Sequence, residues 1–205
     1  MLDKLKDFFG KYEANSQVEY IVAGLGNPGR KYENTRHNAG FMALDYLQKQ
    51  EGFEMKRLRF KALCGDATIA GKRVLFLKPS TFMNKSGESV RDAMQYYNVP
   101  PERTIILFDD ISIDVGKLRI RVKGSDGGQK GMQNIIYLTG DDQFPRVRVG
   151  IGKKRHPDMK LADWVLSRFT PDELQTLDTV FENAAGAVRL MVNGDINQAM
   201  NRYNR

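Results

Sequence analysis

The sequence VEYIVAGL at residues 18–25 is a short apolar run, rich in β-branched and aromatic side chains, that ends beside glycines. Such a run predicts a strand that is buried on both faces. A similar run, TIILF, occupies residues 104–108. Residues 38–49 and 86–97 instead carry apolar side chains at helical spacing. Strands that alternate with helices predict an α/β fold, with a single mixed, twisted β-sheet flanked by helices in a three-layer α/β/α sandwich.

The rest of the chain continues this alternation, without an internal repeat or a linker. The further predicted elements are a hairpin at 60–70 and 73–77, a strand at 117–123, a helix from the Gly-rich loop 124–128 to about 138, a strand at 146–151, and helices at 170–192 and 195–203. We therefore expect one catalytic domain over residues 18–205. Residues 1–17 are expected to be an N-terminal extension, with a helix over Met1–Phe9.

Composition excludes several classes of protein. The 205 residues are 41% hydrophobic and 28% charged, which is near globular averages and unlike disordered or collagen-like chains. No apolar stretch approaches the roughly 20 residues of a membrane-spanning helix. The single cysteine, Cys64, cannot form an intramolecular disulfide, which is typical of the reducing cytoplasm. We expect a buried structural thiol, and one Cys with two His is too few ligands for the usual zinc site.

Positive charge is concentrated in one segment. Residues 117–160 contain eleven Lys or Arg and four Asp, a surplus equal to the net charge of +7 of the whole chain. A surplus confined in this way predicts a surface that binds a polyanion. The alternative is a solvated basic surface without a ligand.

Glycines follow the first predicted strand in the order Gly24-Leu25-Gly26-Asn27-Pro28-Gly29. This spacing matches the dinucleotide fingerprint G-x-G-x-x-G, which requires a helix that begins at the third glycine. Residues 30–37 lack apolar periodicity, so no helix is expected there to bind a pyrophosphate. A nicotinamide-dependent oxidoreductase is therefore a weak alternative, and we expect no cofactor.

Four polar residues lie at the ends of predicted strands or at the start of a predicted helix. His37 precedes a helix, Asp109 ends a strand, and Asn27 and Asn84 follow two others. A neutral imidazole can take a proton from water when a carboxylate binds its other nitrogen. Asp109 is the expected carboxylate, with Asp110 as the alternative, because the last side chain facing the site is uncertain by one residue. Taken alone, His37 and Asn84 are also typical of helix caps.

The chain as a whole resembles the bacterial-type peptidyl-tRNA hydrolases. The matching motifs are residues 24–29, Tyr32, residues 35–40, 78–87, Asp109-Asp110, 116–119 and 144–152. The resemblance covers residues 18–204. It implies hydrolysis of the ester between a peptide and the 3′ ribose of tRNA, in the cytoplasm, by a monomeric α/β protein that uses neither metal nor cofactor.

The resemblance also implies a role for individual residues. His37 matches the general base, Asp109 its supporting carboxylate, and Asn27 the amide that distinguishes blocked peptidyl-tRNA from free aminoacyl-tRNA. The positions that match substrate contacts are Tyr32, Phe82 and Asn84. The positions that match cations for the 5′-phosphate of tRNA are Arg121, where the family often has Lys, and Arg148.

The chain departs from the family in several places, of which residues 129–130 bear most on the site. Gln129-Lys130 stands where the family usually has His-Asn, so an amide contact to the substrate is in question. We predict that Lys130 binds the sugar-phosphate near the 3′ end of tRNA, the alternative being a solvated lysine on a loop. A non-catalytic RNA-binding protein on the same fold is the second function considered. It would need the cations but no proton acceptor, so the presence of His37 and Asp109 favours the enzyme.

Overall fold

A seven-stranded mixed sheet forms the middle layer of the protein, in the order β2-β3-β4-β1-β5-β7-β6. The computed structural model describes residues 17–204. The strands are β1 (Tyr20–Gly24), β2 (Arg57–Arg59), β3 (Ala62–Ile69), β4 (Lys72–Pro79), β5 (Thr104–Asp110), β6 (Leu118–Arg121) and β7 (Arg146–Gly150). The central strands β4, β1, β5 and β7 are parallel, whereas β2, β3 and β6 pair antiparallel at the two edges.

Helices cover both faces of this sheet. They are α1 (Ala39–Glu51), α2 (Ser86–Tyr97), α3 (Lys130–Thr139), α4 (Leu161–Leu166), α5 (Pro171–Asn193) and α6 (Ile196–Tyr203). On one face, Val22 and Leu107 share a buried apolar cluster with residues of α1 and α5. On the other face, Ile21 and Phe108 share a second cluster with residues of α2 and α3. The predicted three-layer α/β/α sandwich is therefore confirmed. Among the helices of residues 17–204, none has the length and apolar composition that a bilayer-spanning segment needs.

The close approach of α1 to the sheet depends on glycine. A Cβ atom on Gly40 would lie 2.2 Å from the carbonyl oxygen of Leu107, and one on Gly24 would lie 2.5 Å from the carbonyl oxygen of Gly40. Both distances are far below contact, so no side chain fits between α1, β1 and β5. The N-terminus of α1 consequently lies against the carboxyl ends of these two strands.

Two elements were absent from the predictions, namely β2 and α4. Strand β2 is three residues long and fully exposed, and α4 has six residues, so neither offers enough positions for a periodic pattern. The strand predicted at 117–123 is shorter, at Leu118–Arg121. The extension predicted at residues 1–17, with its helix over Met1–Phe9, lies outside the described residues except for Gln17.

Candidate active site

A pocket of about 450 Å³ opens at the carboxyl ends of β1, β4 and β5. Such edges are where open α/β sheets place their binding sites. The polar side chains that line the pocket include Asn27, His37, Asn84, Asp109 and Lys130. Five of the residues proposed from the sequence are thus brought together from separate segments. Apolar lining residues come from α4, through Leu161, Val165 and Leu166.

His37 and Asp109 form a hydrogen-bonded pair in this pocket. Nδ1 of His37 lies 2.8 Å from Oδ2 of Asp109, and the two side chains are 12% and 3% exposed. An ionised carboxylate can only accept a hydrogen bond, so Nδ1 carries the proton when the ring is neutral. The lone pair is then on Nε2, the nitrogen that Asp109 does not bind. This is the arrangement that a general base requires.

Asp110 faces different partners from its neighbour. Its Oδ2 lies 2.6 Å from Nε of Arg148, and its Oδ1 accepts hydrogen bonds from the backbone N–H and the hydroxyl of Ser112. Side chains alternate along a strand, so Asp109 and Asp110 point to opposite sides of β5. Asp109 is therefore the carboxylate that binds His37, and Asp110 is not.

Arg36 holds the turn that carries His37. This side chain is 1% exposed, and its Nη2 donates to both carboxylate oxygens of Glu173, at 2.9 and 2.8 Å. Its guanidinium also lies 3.8 Å from the ring centroid of Trp164 and donates to the carbonyl oxygen of Ile151. Sequence reasoning missed this role, because nothing local distinguishes a buried Arg beside His37 from an exposed one.

The pKa of Glu173 reflects these contacts. Burial alone would raise it, but the backbone N–H of Thr170 and the guanidinium of Arg36 outweigh burial, so the pKa is lowered. Glu173 also completes a capping box with Thr170 at the N-terminus of α5. One carboxylate therefore joins the start of α5 to the turn that carries His37.

Asn27 is held by two other segments of the pocket. Asn38 accepts a hydrogen bond from the backbone N–H of Asn27 at 2.8 Å and donates to its carbonyl oxygen at 3.0 Å. Oδ1 of Asn27 accepts from the backbone N–H of Met83 at 2.8 Å. Among residues 17–204, no group accepts from Nδ2 of Asn27, which leaves this N–H₂ group available to a ligand in the pocket.

Gln129 contacts Asp109 from the side opposite His37. Its Nε2 lies 3.0 Å from Oδ1 of Asp109, and its Oε1 accepts a hydrogen bond from the backbone N–H of Met132, which makes Gln129 the N-cap of α3. The sequence identified this position only as a departure from the family. Glutamine is not among the preferred N-cap residues, so no local signal announced the contact.

Of the other positions predicted to contact the substrate, Asn84 and Lys130 line the pocket, whereas Tyr32 and Phe82 are not among its lining residues. The rings of Tyr32 and Phe82 meet edge to face with centroids 6.3 Å apart, and Phe82 is 54% exposed. Asn84 is exposed at the pocket. Lys130 is also exposed, with its Nζ 3.4 Å from Oε1 of Gln133.

The basic surface lies on β6 and β7. Arg119 pairs with Arg148 across the two antiparallel strands, and Arg121 pairs with Arg146. Arg121 is exposed. Arg146 is buried, and its guanidinium donates to the carbonyl oxygens of three loop residues, Ser125, Asp142 and Phe144. Burial lowers its pKa. The prediction that the basic residues of 117–160 share a polyanion-binding surface is therefore wrong for Arg146. This side chain instead holds two loops together.

Metal-binding residues do not gather at the pocket. Within residues 17–204, no three His, Cys, Asp or Glu side chains form a cluster suited to a metal ion. Cys64 is buried in β3, as predicted, and burial raises the pKa of its thiol.

Comparisons with known proteins agree on one family. A family model described as peptidyl-tRNA hydrolase matches residues 21–205. The peptidyl-tRNA hydrolase of Alkaliphilus oremlandii is 52% identical over 185 residues, which cover 90% of this chain and 99% of the relative. That of Caldanaerobacter subterraneus is 50% identical with the same coverage. A crystal structure of peptidyl-tRNA hydrolase from Acinetobacter baumannii superposes with a TM-score of 0.85 at 33% identity, covering 92% of this chain and 98% of the other. The chain belongs to the peptidyl-tRNA hydrolase family.

Proposed function

We propose that this protein hydrolyses the ester bond that joins a peptide, or an N-blocked aminoacyl group, to the 3′ ribose of tRNA, and so returns the tRNA to translation. The observation that carries the proposal is the His37–Asp109 pair in a pocket at the carboxyl edge of the sheet. Membership of the peptidyl-tRNA hydrolase family supports the same reaction.

His37 acts as the general base in this mechanism. Its Nε2 removes a proton from a water molecule as the water attacks the ester carbonyl, and Asp109 stabilises the imidazolium that forms. The tetrahedral intermediate then collapses, and His37 returns the proton to the departing 3′ oxygen of the ribose. Water is the only co-reactant that these steps consume.

The amides of Asn27 and Asn84 position the substrate. The available N–H₂ group of Asn27 is a donor for the carbonyl of the blocked amino group, which a free, positively charged amine lacks. Asn84 offers both a donor and an acceptor at the mouth of the pocket. The apolar wall formed by Leu161, Val165 and Leu166 is suited to side chains of the peptide.

The body of the tRNA lies on the basic surface. We assign Arg121 and Arg148 to backbone phosphates, Lys130 to the sugar-phosphate near the 3′ end, and the rings of Tyr32 and Phe82 to contacts near the ester. Phosphate contacts of this kind supply affinity and position the nucleic acid without reading its sequence. We further propose that residues 18–205 act as one catalytic domain, in a monomer located in the cytoplasm.

The two alternatives from the sequence are less well supported. A non-catalytic RNA-binding protein would have no use for a buried carboxylate held against an imidazole. A nicotinamide-dependent enzyme would need an α-helix that begins at Gly29, whereas a three-residue 3₁₀ turn, Arg30–Tyr32, follows that glycine.

The test compares two substrates that differ only at the amino group. N-acetyl-aminoacyl-tRNA and the unblocked aminoacyl-tRNA are incubated with the protein, and release of the acyl group is measured. We expect release from the blocked substrate alone. Absence of release from the blocked substrate would exclude the proposed activity, and equal release from both would exclude the role of Asn27.

A further inference from the structure

Gln129 binds the oxygen of Asp109 that His37 leaves unoccupied. We propose that Gln129 is a positioning residue for the hydrolysis, which holds the carboxylate of Asp109 in the plane that presents Oδ2 to Nδ1 of His37. The contacts are 3.0 Å from Gln129 to Oδ1 and 2.8 Å from His37 to Oδ2. This inference rests on the proposed function, because it concerns the activity of the same pair.

The orientation of the Gln129 amide follows from its neighbours. Its oxygen accepts from the backbone N–H of Met132 at 2.8 Å, so its nitrogen is the atom that faces Asp109. A rotated amide would place two N–H donors against each other and an oxygen against the carboxylate. Both contacts would be repulsive in a side chain that is 8% exposed.

The carboxylate of Asp109 needs both partners. It is 3% exposed, and a buried charge is costly unless hydrogen bonds replace the lost water. A carboxylate held at one oxygen can still rotate about its terminal bond, since such torsions are broad. With Gln129 on Oδ1 and His37 on Oδ2, the plane is fixed by two segments that are far apart in the chain.

The group of Gln129 that donates to Asp109 is a neutral amide. A lysine or arginine at this position would offset the negative charge that stabilises the imidazolium of His37. The amide supplies a hydrogen bond without a competing positive charge. Gln129 can therefore orient Asp109 and leave its charge available to His37.

The Gly-rich loop brings Gln129 to this position. Gly127 and Gly128 have φ values of 60° and 81°, in the left-handed region that glycine adopts readily. The side chain of Asp126 accepts a hydrogen bond from the backbone N–H of Gly128, and its carbonyl oxygen accepts one from that of Gln129. These two hydrogen bonds form a turn over residues 126–129, and Gln129 then begins α3 as its N-cap.

Two variants separate the contact with Asp109 from the capping of α3. Gln129→Ser places a preferred N-cap residue at the start of α3, with a side chain too short to reach Asp109. Gln129→Glu keeps the length and an oxygen for the N–H of Met132, but presents a carboxylate to Asp109. For both variants we expect kcat on N-acetyl-aminoacyl-tRNA to fall about 10- to 100-fold, the usual effect of misplacing a reacting group. KM should stay near the parent value, because Arg121 and Arg148, which are assigned to the tRNA phosphates, are unchanged in both variants.

A double variant tests whether Gln129 acts through Asp109. In Asp109→Asn the carboxylate that Gln129 orients is already lost. Adding Gln129→Ser to this variant should therefore lower kcat no further. Losses that multiply in the double variant would overturn the inference, as would a Gln129→Ser enzyme with unchanged kcat. A parent enzyme that needs His37 and Asp109 but tolerates Gln129→Ser would overturn this inference alone. A parent that releases no acyl group would overturn the proposed function with it.

Discussion

Two adjacent aspartates at the end of β5 have different partners. Substitutions at the two positions should therefore differ in their effect on kcat. Asp109 binds His37, whereas Asp110 binds Arg148 and Ser112. We expect Asp109→Asn to lower kcat on the order of 10², because an amide can hold the ring but does not stabilise the imidazolium. Asp110→Asn should leave kcat near the parent value. Steady-state hydrolysis of N-acetyl-aminoacyl-tRNA by both variants measures this, and the reverse ranking would exchange their roles.

His37 is the proposed general base, so its replacement should have the largest effect on the rate. We expect His37→Ala to lower the rate roughly 10²- to 10⁴-fold, which is the usual contribution of a positioned acid or base. Binding of tRNA should survive, since the basic surface is unchanged. Single-turnover hydrolysis and a tRNA binding assay measure the two quantities separately. A rate within a few-fold of the parent would mean that His37 only caps its turn.

At the scale of residues, the sequence predicted the groups but not all of their contacts. His37, Asp109 and Asn27 stand out because they are polar residues at the ends of predicted elements that meet at one edge of the sheet. The contact of Gln129 with Asp109 spans 20 positions, and that of Arg36 with Glu173 spans 137. Contacts over such separations depend on the topology of the sheet and on side-chain direction, which local patterns do not contain.

At the scale of elements, the edge pair β6 and β7 carries the basic surface that is proposed to bind the tRNA. Arg121→Ala and Arg148→Ala should each raise KM for tRNA substrates and make its salt dependence shallower by about one unit, since each removes about one phosphate contact. Hydrolysis of a short acyl-nucleotide without the tRNA body should be unchanged. KM measured across a range of salt concentrations tests this, with Lys49→Ala, an exposed lysine at the far end of α1, as the control. Equal losses on the short substrate would contradict a role in phosphate binding.

The N-terminus of α3 adds a further cation beside the pocket. Lys130 is exposed there, and its Nζ lies 3.4 Å from the side-chain amide oxygen of Gln133. We expect Lys130→Ala to weaken binding of tRNA substrates and to reduce the salt slope by about one unit, with kcat near the parent value. The same titration that is used for the arginines measures it. An unchanged KM and slope would leave Lys130 as a solvated lysine, and a fall in kcat alone would assign it to positioning of the ester or the water.

Element predictions succeeded where the pattern was clear. The main helices follow from long runs at helical spacing and the buried strands from unbroken apolar runs such as 18–25 and 104–108, and their order predicted the α/β fold. Helix α4 was missed, although it supplies the apolar wall of the pocket. Its six residues pack through Trp164, which is buried against the turn of Arg36, so tertiary contacts rather than its own periodicity define it.

At the scale of the whole molecule, the Arg36–Glu173 pair joins the start of α5 to the turn that carries His37. We expect Glu173→Gln to lower the free energy of unfolding by roughly 2 to 3 kcal/mol at neutral pH, because it leaves the charge of Arg36 buried without its partner. The lowered pKa of Glu173 means that the folded state favours the carboxylate. This stabilisation is present above the ordinary glutamate value of 4.5 and is lost as the pH falls below it.

Denaturant titrations of the parent and Glu173→Gln at several pH values measure this effect. The difference in stability between the two proteins should be largest near neutral pH and should shrink in acid, below the ordinary glutamate value. A difference that stays constant with pH would mean that the carboxylate charge contributes nothing.

The contact between Gly24 and Gly40 limits how the sequence can diverge. Any side chain at either position would separate α1 from β1, so drift over generations should leave both glycines in place while the residues around them change. Gly26 is constrained in the same way, since a Cβ atom added there would lie 2.6 Å from the ring of Phe41. Of the three glycines that imitate a dinucleotide fingerprint, Gly24 and Gly26 are thus explained by packing against α1, and Gly29 by its φ of 102°. A search that scored glycine spacing alone would therefore assign chains of this kind to the wrong class of enzyme.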